Sequence, residues 1–374
     1  MTATLATLAN WRTAPYNQWA FHHVRELIPS AEIASDPAGA RPLPSEARDL
    51  GELRIEPDSG EPLTLERFLE ETSTDAFAIV HRGRLICERY GNGMTPASQH
   101  ILMSVSKSML GLLILQLGLD PAQEITHWLP ELEDTAYRGA TLRHLLDMRT
   151  GVAFEEDYLA TSGPIVAYRK STGWNPLAPT DAPSDLHKYF SSLKKSEGPH
   201  GGRFHYISPN SDLLGWLVER ATGRRYADLM SELLWRPIGA ERSAYVTVDR
   251  LGAARAAGGM CTTVRDLARV GLWLCESAAP WIDDLERGGE RAAWDAGSFA
   301  EYFPGLPMRY RGQWYAMDGE SPLLFAVGIH GQNLFVDRRN RLVIAKFSSQ
   351  AQPLDAARIG LTTRAVSQLR KLLQ

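Results

Sequence analysis

Apolar and polar positions alternate along this chain with different periods, and the periods divide it into elements. "DAFAIVHRGRLICERYG" (75–91) carries two strand-like runs joined at "RGR", the pattern of a hairpin. "LMSVSKSMLGLLILQLGL" (102–119) is apolar on nearly every side, which predicts a buried central helix. "TLRHLLDMRTG" (141–151) begins at a capping-type Thr141 and stops at Gly151, as a short amphipathic helix would. "NSDLLGWLVERATG" (210–223), "TTVRDLARVGLWLCE" (262–276) and "LDAARIGLTTRAVSQLRKLL" (354–373) have helical spacing. "LLFAVGIHGQNLFVDRRNRLVIAKFSS" (323–349) contains two strand-like runs around the polar turn "DRRN".

Elsewhere the pattern is weaker. Residues 1–70 show no sustained period and read as a partly helical lead-in packed on the body, and 152–205 reads as loop-rich. Strands near both ends of a helical middle predict an α/β (α+β) fold with an antiparallel sheet assembled from distant segments. The expected division is a sheet domain from 71–115 and 290–374 and a mostly helical domain from 116–289, with the active site between them.

Composition narrows the function classes. A chain of 374 residues with 44% hydrophobic and 22% charged residues and a formal net charge of -4 is ordinary for a globular protein. The weak negative balance argues against a nucleic-acid partner, which calls for a basic stripe. The N-terminus lacks a basic start followed by an apolar run, and the apolar stretch 109–119 is short and broken by Gly111, Gln116 and Gly118. A cytoplasmic protein without a membrane partner is expected. Cys87, Cys261 and Cys275 lack metal-like spacing and are expected to be reduced thiols. No metal or other cofactor is anticipated, and monomer and homodimer both stay open.

One charge breaks the pattern. Lys107 lies inside the apolar helix, three residues after Ser104 and on the same face. A buried lysine must lose its charge, find an anion or cost several kcal/mol. Desolvation lowers its pKa, leaving a neutral amine that can act as general base for a neighbouring hydroxyl. A snorkelling lysine stem at the helix edge is the alternative, and the pattern alone leaves both open. "SSLK" and "SLKK" (191–195) have the same spacing in a polar segment, where a solvated role is expected. "RFHYISPNSD" (203–212) places Tyr206 and Ser208 at the mouth of a helix, where a phenol could relay protons.

Together these segments resemble the serine β-lactamase/penicillin-recognising superfamily, and most closely its 6-aminohexanoate-dimer hydrolase branch of carboxylesterases and nylon-oligomer amidases. "LMSVSKS" resembles the first motif, "FHYISPNSD" the second, and "GIHGQNLF" the strand that replaces Lys-Thr-Gly; "EEDY", "STGW", "TVRDLARVG" and "NQWAFHH" add to the likeness. The resemblance implies a β-lactamase-like fold, with Ser104 as acylated nucleophile, Lys107 as its base and Tyr206 as proton shuttle. It implies an oxyanion hole from the backbone N–H groups of Ser104 and Ile329. Tyr158, Arg169, Trp174, Ser208 and Tyr315 would line the substrate cleft, with His330 either reaching the cleft or supporting the strand.

Two positions depart from the branch. Ala257 stands where nylon-oligomer hydrolases have a polar residue, and Arg169 where they can carry a carboxylate. An arginine there repels an ammonium and attracts a carboxylate. The expected activity is therefore acyl-enzyme hydrolysis of small, neutral esters. An amidase, peptidase or weak β-lactamase is the enzymatic alternative, and a catalytically inactive ligand-binding relative is the alternative from another class.

Overall fold

Strands from the two ends of the chain meet in one sheet because their apolar residues need two covered faces. A computed structural model describes residues 5–374. Its strands are β1 (Ser30–Ile33), β2 (Thr74–His81), β3 (Arg84–Tyr90), β4 (His100–Ile101), β5 (Ala244–Thr247), β6 (Met260–Thr262), β7 (Met308–Arg311), β8 (Trp314–Met317), β9 (Leu323–Gly328), β10 (Gln332–Asp337) and β11 (Leu342–Ser348). Seven of them form an antiparallel sheet in the order β3-β2-β11-β10-β9-β8-β7. Ile79 lies opposite Ile344, joining the N-terminal hairpin to the C-terminal strands.

Alternate residues of β2 serve different cores. Ala76, Ala78 and Val80 pack with the central helices, whereas Phe77 and Ile79 pack beneath the C-terminal helix. Burial on both faces explains why these strands read as nearly continuous apolar runs. The five longer helices that matter for the site and its support are α1 (Val105–Leu117), α2 (Pro164–Ser171), α3 (Ser208–Thr222), α4 (Val264–Glu276) and α5 (Ala356–Leu372). Helix α1 is buried on all sides over residues 105–114. Gly111 permits its close approach to the β7–β8 turn: a Cβ there would lie 2.1 Å from the Gly312 carbonyl oxygen.

Several expectations need correction. The segment 323–349 forms three strands rather than two, because Ile329–Gly331 makes a one-turn helix between β9 and β10. The β7–β8 hairpin adds two strands that the pattern did not reveal. Residues 142–146 are helical, but Met148 adopts φ 54°, ending that helix before Gly151. The loop-rich reading of 152–205 overlooked α2 and the helix Leu186–Ser192.

A second sheet, β1-β5-β6-β4, also went unforeseen. It draws β1 from the described part of the lead-in, and β5 and β6 from the segment expected to be mostly helical. Its strands have two to four residues, too few to show a period. Cys87 and Cys261 are buried free thiols and Cys275 is a partly buried one. No helix among the described residues is long and apolar enough to cross a membrane.

Candidate active site

The chain leaves β4, turns at Met103 and enters α1 with Ser104 as its N-cap. Met103 adopts φ 46°, a left-handed conformation that costs a non-glycine residue about 1–3 kcal/mol. That turn puts the Ser104 side chain at the end of the buried helix instead of along its flank. One turn later, Lys107 is only 1% exposed. Its Nζ lies 2.9 Å from Ser104 Oγ, 3.1 Å from Ser208 Oγ and 2.8 Å from the Ala257 carbonyl oxygen. Burial lowers the Lys107 pKa to about 7, with Arg255 acting in the same direction and Glu156 and Asp212 opposing.

The hydrogen inventory gives this cluster a direction. Glu156 Oε1 accepts the Ser208 hydroxyl proton at 2.6 Å, and Oε2 accepts the Ser208 backbone N–H at 2.8 Å. Ser208 Oγ must then accept from Lys107, and the Ala257 carbonyl can only accept. A neutral lysine has two N–H groups, so both are spent on Ser208 and Ala257. The remaining lone pair faces the Ser104 hydroxyl, the arrangement a general base requires. Ala257 is itself held by Asp212, whose Oδ1 accepts its backbone N–H at 2.7 Å. Asp212 also accepts from Arg255 and Tyr168, forming a buried support beneath the cluster.

Tyr206 enters from the residue pair preceding α3. Lys107 Nζ is 4.9 Å from its ring centroid. Burial holds the phenol well above its ordinary pKa while its interaction with Ser104 pulls the other way. It is therefore a protonated hydroxyl beside the serine. Across the site, β9 ends at Gly328 and Ile329 begins a one-turn helix. Ser104 and Ile329 thus both open a helical turn, where N–H groups lack intrahelical acceptors. A Cβ at Gly328 would lie 2.7 Å from the Leu102 carbonyl oxygen, so glycine lets the strand end approach the nucleophile turn.

Tyr158, Arg169, Trp174 and Ser208 line the same pocket as Ser104 and Ile329. Trp174 donates from Nε1 to Thr247 Oγ1 at 3.1 Å and packs edge-on against Trp11, with ring centroids 5.1 Å apart. Tyr315 departs from its expected place. It is buried behind Tyr206, stacked on Phe325 at 5.4 Å, because β8 sends it into the aromatic core. His330 borders an outer cleft of about 570 Å³ instead of the inner pocket. Its Nδ1 is 2.7 Å from the Gln350 carbonyl oxygen, and burial lowers its pKa to about 4. The ring thus supports the strand end in neutral form. In the other serine–lysine pairs, Ser192 Oγ donates to Tyr189 O and Lys194 Nζ to Asp134 O.

Glu156, Arg255, Asp212 and Arg12 were missed as site residues. Only Tyr158 was selected from "EEDY", and nothing in one sequence ties Glu156 to a serine 52 residues away. Asp212 is the last residue of "FHYISPNSD" and Arg255 lies two residues before Ala257, but their pairing is tertiary.

A family model described as Beta-lactamase matches residues 64–367. A 6-aminohexanoate-dimer hydrolase from Paenarthrobacter ureafaciens is 37% identical over 362 residues, covering 93% of this chain and 89% of its own. A Bacillus anthracis protein provisionally named a 6-aminohexanoate-dimer hydrolase has a solved structure with TM-score 0.87, 26% identity and full coverage of both chains. A family VIII carboxylesterase shares the fold with TM-score 0.57 at 13% identity, covering 78% of this chain and 92% of its own.

Proposed function

The chain belongs to the beta-lactamase family and is a serine hydrolase, and on that premise we propose that it works through an acyl-enzyme on Ser104, with small carboxylic esters as substrates. The observation that carries this reading is the Lys107 amine, buried, depressed to a pKa of about 7 and 2.9 Å from Ser104 Oγ. Lys107 takes the Ser104 proton as Oγ bonds to the acyl carbon. The carbonyl oxygen becomes an oxyanion facing the N–H groups of Ser104 and Ile329. As the bond to the leaving group breaks, Tyr206 gives its proton to the departing oxygen and recovers one from the Lys107 ammonium. Water then attacks the acyl-enzyme, and the same groups act in reverse to release the acid.

An amide substrate is the second reading, favoured by the name of the relative at 37% identity. Amides need a better protonated leaving group, so they place a greater demand on Tyr206.

A fluorophosphonate label followed by intact-mass measurement tests the nucleophile. Wild type should gain one adduct, and Ser104→Ala should gain none while keeping its circular dichroism spectrum. Lys107→Met and Lys107→Arg should each lower ester turnover by several orders of magnitude, since arginine remains protonated and cannot accept the serine proton. Full labelling of Ser104→Ala, or near-normal turnover by Lys107→Arg, would remove these roles.

A further inference from the structure

The pocket that holds Ser104 has one arginine on its wall without an acidic partner among the described residues. Arg12, Arg169 and Arg255 all line it. Arg255 is matched by Asp212. Arg169 is buried on α2, where its Nη2 donates to Tyr158 O at 2.9 Å and its Nη1 more weakly to Ala160 O at 3.3 Å. These carbonyls satisfy hydrogen bonds without cancelling the charge. For the Arg12 side chain, the one hydrogen-bond acceptor among the described residues is the neutral Asn175 Oδ1, at 2.6 Å.

The nearby acids act on the other two arginines, Glu156 and Asp157 on Arg169 and Asp212 with Glu156 on Arg255, and none of them offsets Arg12. Glu156 holds Ser208, and Asp212 holds Arg255, Tyr168 and Ala257. Asp157 Oδ1 accepts from the Leu159 N–H at 2.8 Å. Meanwhile the Nε–H groups of Arg12 and Arg255 are both buried without an acceptor. A buried donor without a partner costs about 1–3 kcal/mol, more when charged. Stacking on Trp11 and Trp174, with centroids 5.6 and 5.9 Å away, accounts for the Arg12 ring contacts but leaves its Nε and its charge unmatched. Burial, with repulsion from Arg169 and Arg255, lowers the Arg12 pKa to about 9. An anion placed beside Arg12 would relieve that repulsion and give its guanidinium a charged acceptor in addition to the neutral Asn175.

We infer that Arg12 forms a carboxylate-recognition subsite beside Ser104, so that the substrates are esters or amides bearing a free carboxylate. This rests on the proposed Ser104 chemistry and moves the expected substrate from a neutral to an anionic ester. Arg12 supplies a planar donor fork suited to a carboxylate. It also gives the N-terminal lead-in a part in specificity, since that segment carries Arg12 to the pocket next to Trp11.

Matched ester pairs test the inference. One pair places the charge on the acyl side: mono-para-nitrophenyl glutarate against para-nitrophenyl pentanoate. The other places it on the leaving group: para-acetoxybenzoate against para-acetoxybenzamide. After correction for base-catalysed hydrolysis, at least one pair should show kcat/KM about tenfold or more in favour of the anion. Added salt should shrink that ratio. Arg12→Gln should bring it close to one, and Arg12→Lys should retain part of it. Ser104-dependent turnover with a wild-type ratio of one or less in both pairs overturns the subsite alone. So does a ratio that Arg12→Gln leaves unchanged. Failure to hydrolyse all four esters sinks the hydrolase reading and the subsite with it.

Discussion

In the proposed mechanism Glu156 acts on the reaction without touching the reacting bond. By accepting the hydrogen bond of the Ser208 hydroxyl it leaves Lys107 to donate to Ser208, and so turns the lysine lone pair toward Ser104. Its charge also raises the Lys107 pKa against the larger effect of burial. Glu156→Gln removes that charge, so the lysine should lose its proton at a lower pH. The acidic limb of the kcat/KM profile, expected near pH 7, should move downward while the plateau falls about tenfold or more, because Ser208 is held less firmly. Ester hydrolysis measured from pH 5 to 9 checks both. A lower plateau with an unmoved limb would reduce Glu156 to a structural prop. At this scale the sequence already set Ser104 and Lys107 on one helix face, since a lysine in an all-apolar helix is conspicuous by itself. The direction of its lone pair was not legible, because it depends on hydrogens assigned by Glu156 and Ala257, far away in the chain.

Among elements, the segment after Glu156 depends on α2. Arg169 was expected in a loop-rich stretch, yet it lies in a helix and reaches back to hold the carbonyls of Tyr158 and Ala160. The helix was obscured in the sequence because α2 is short, starts at Pro164 and lies among Gly, Ser and Pro. By contrast α1 and α3 were plain, one by uniform burial and the other by helical spacing ending at Gly223. Arg169→Lys retains a positive charge but cannot place a planar fork against two carbonyls. Amide hydrogen exchange should therefore quicken over residues 157–160, and KM should rise for charged and neutral esters alike as Tyr158 loses its fixed position. Unchanged exchange protection would show that the loop is held by its own turn, including the Asp157–Leu159 bond.

At the scale of the whole molecule, strands from residues 74–90 and 308–348 had to be brought together before the pocket could exist. The apolar runs at 75–91 and 323–349 made a sheet predictable, but the β7–β8 hairpin was not legible, and short β1, β4, β5 and β6 carried too little pattern to reveal the second sheet. The same assembly buries two lysines, Lys107 and Lys346, whose pKa values fall from the ordinary 10.5 to about 7, chiefly by desolvation. Lys346 projects from β11, is 1% exposed and donates to Ser348 Oγ. Between about pH 7 and 10.5 the unfolded chain binds protons at these two positions that the folded chain does not. Stability must then rise with pH, by up to about 1.4 kcal/mol per pH unit for each lysine. Above pH 10 buried phenols reverse the trend, because Tyr206, Tyr310 and Tyr315 hold their protons more tightly when folded than unfolded. The thiols of Cys87, Cys261 and Cys275, raised by burial, already oppose the rise near their ordinary pKa, so the stability maximum falls on the alkaline side, at about pH 9, instead of near neutrality. Urea midpoints measured from pH 6 to 11 should trace that curve. Lys346→Met should lower the slope between pH 8 and 9.5 by about 1.4 kcal/mol per unit, one proton's worth. An unchanged slope would mean that Lys346 stays protonated in the fold, with Asp75, whose charge favours its ammonium form, outweighing desolvation and the opposing charge of Arg358.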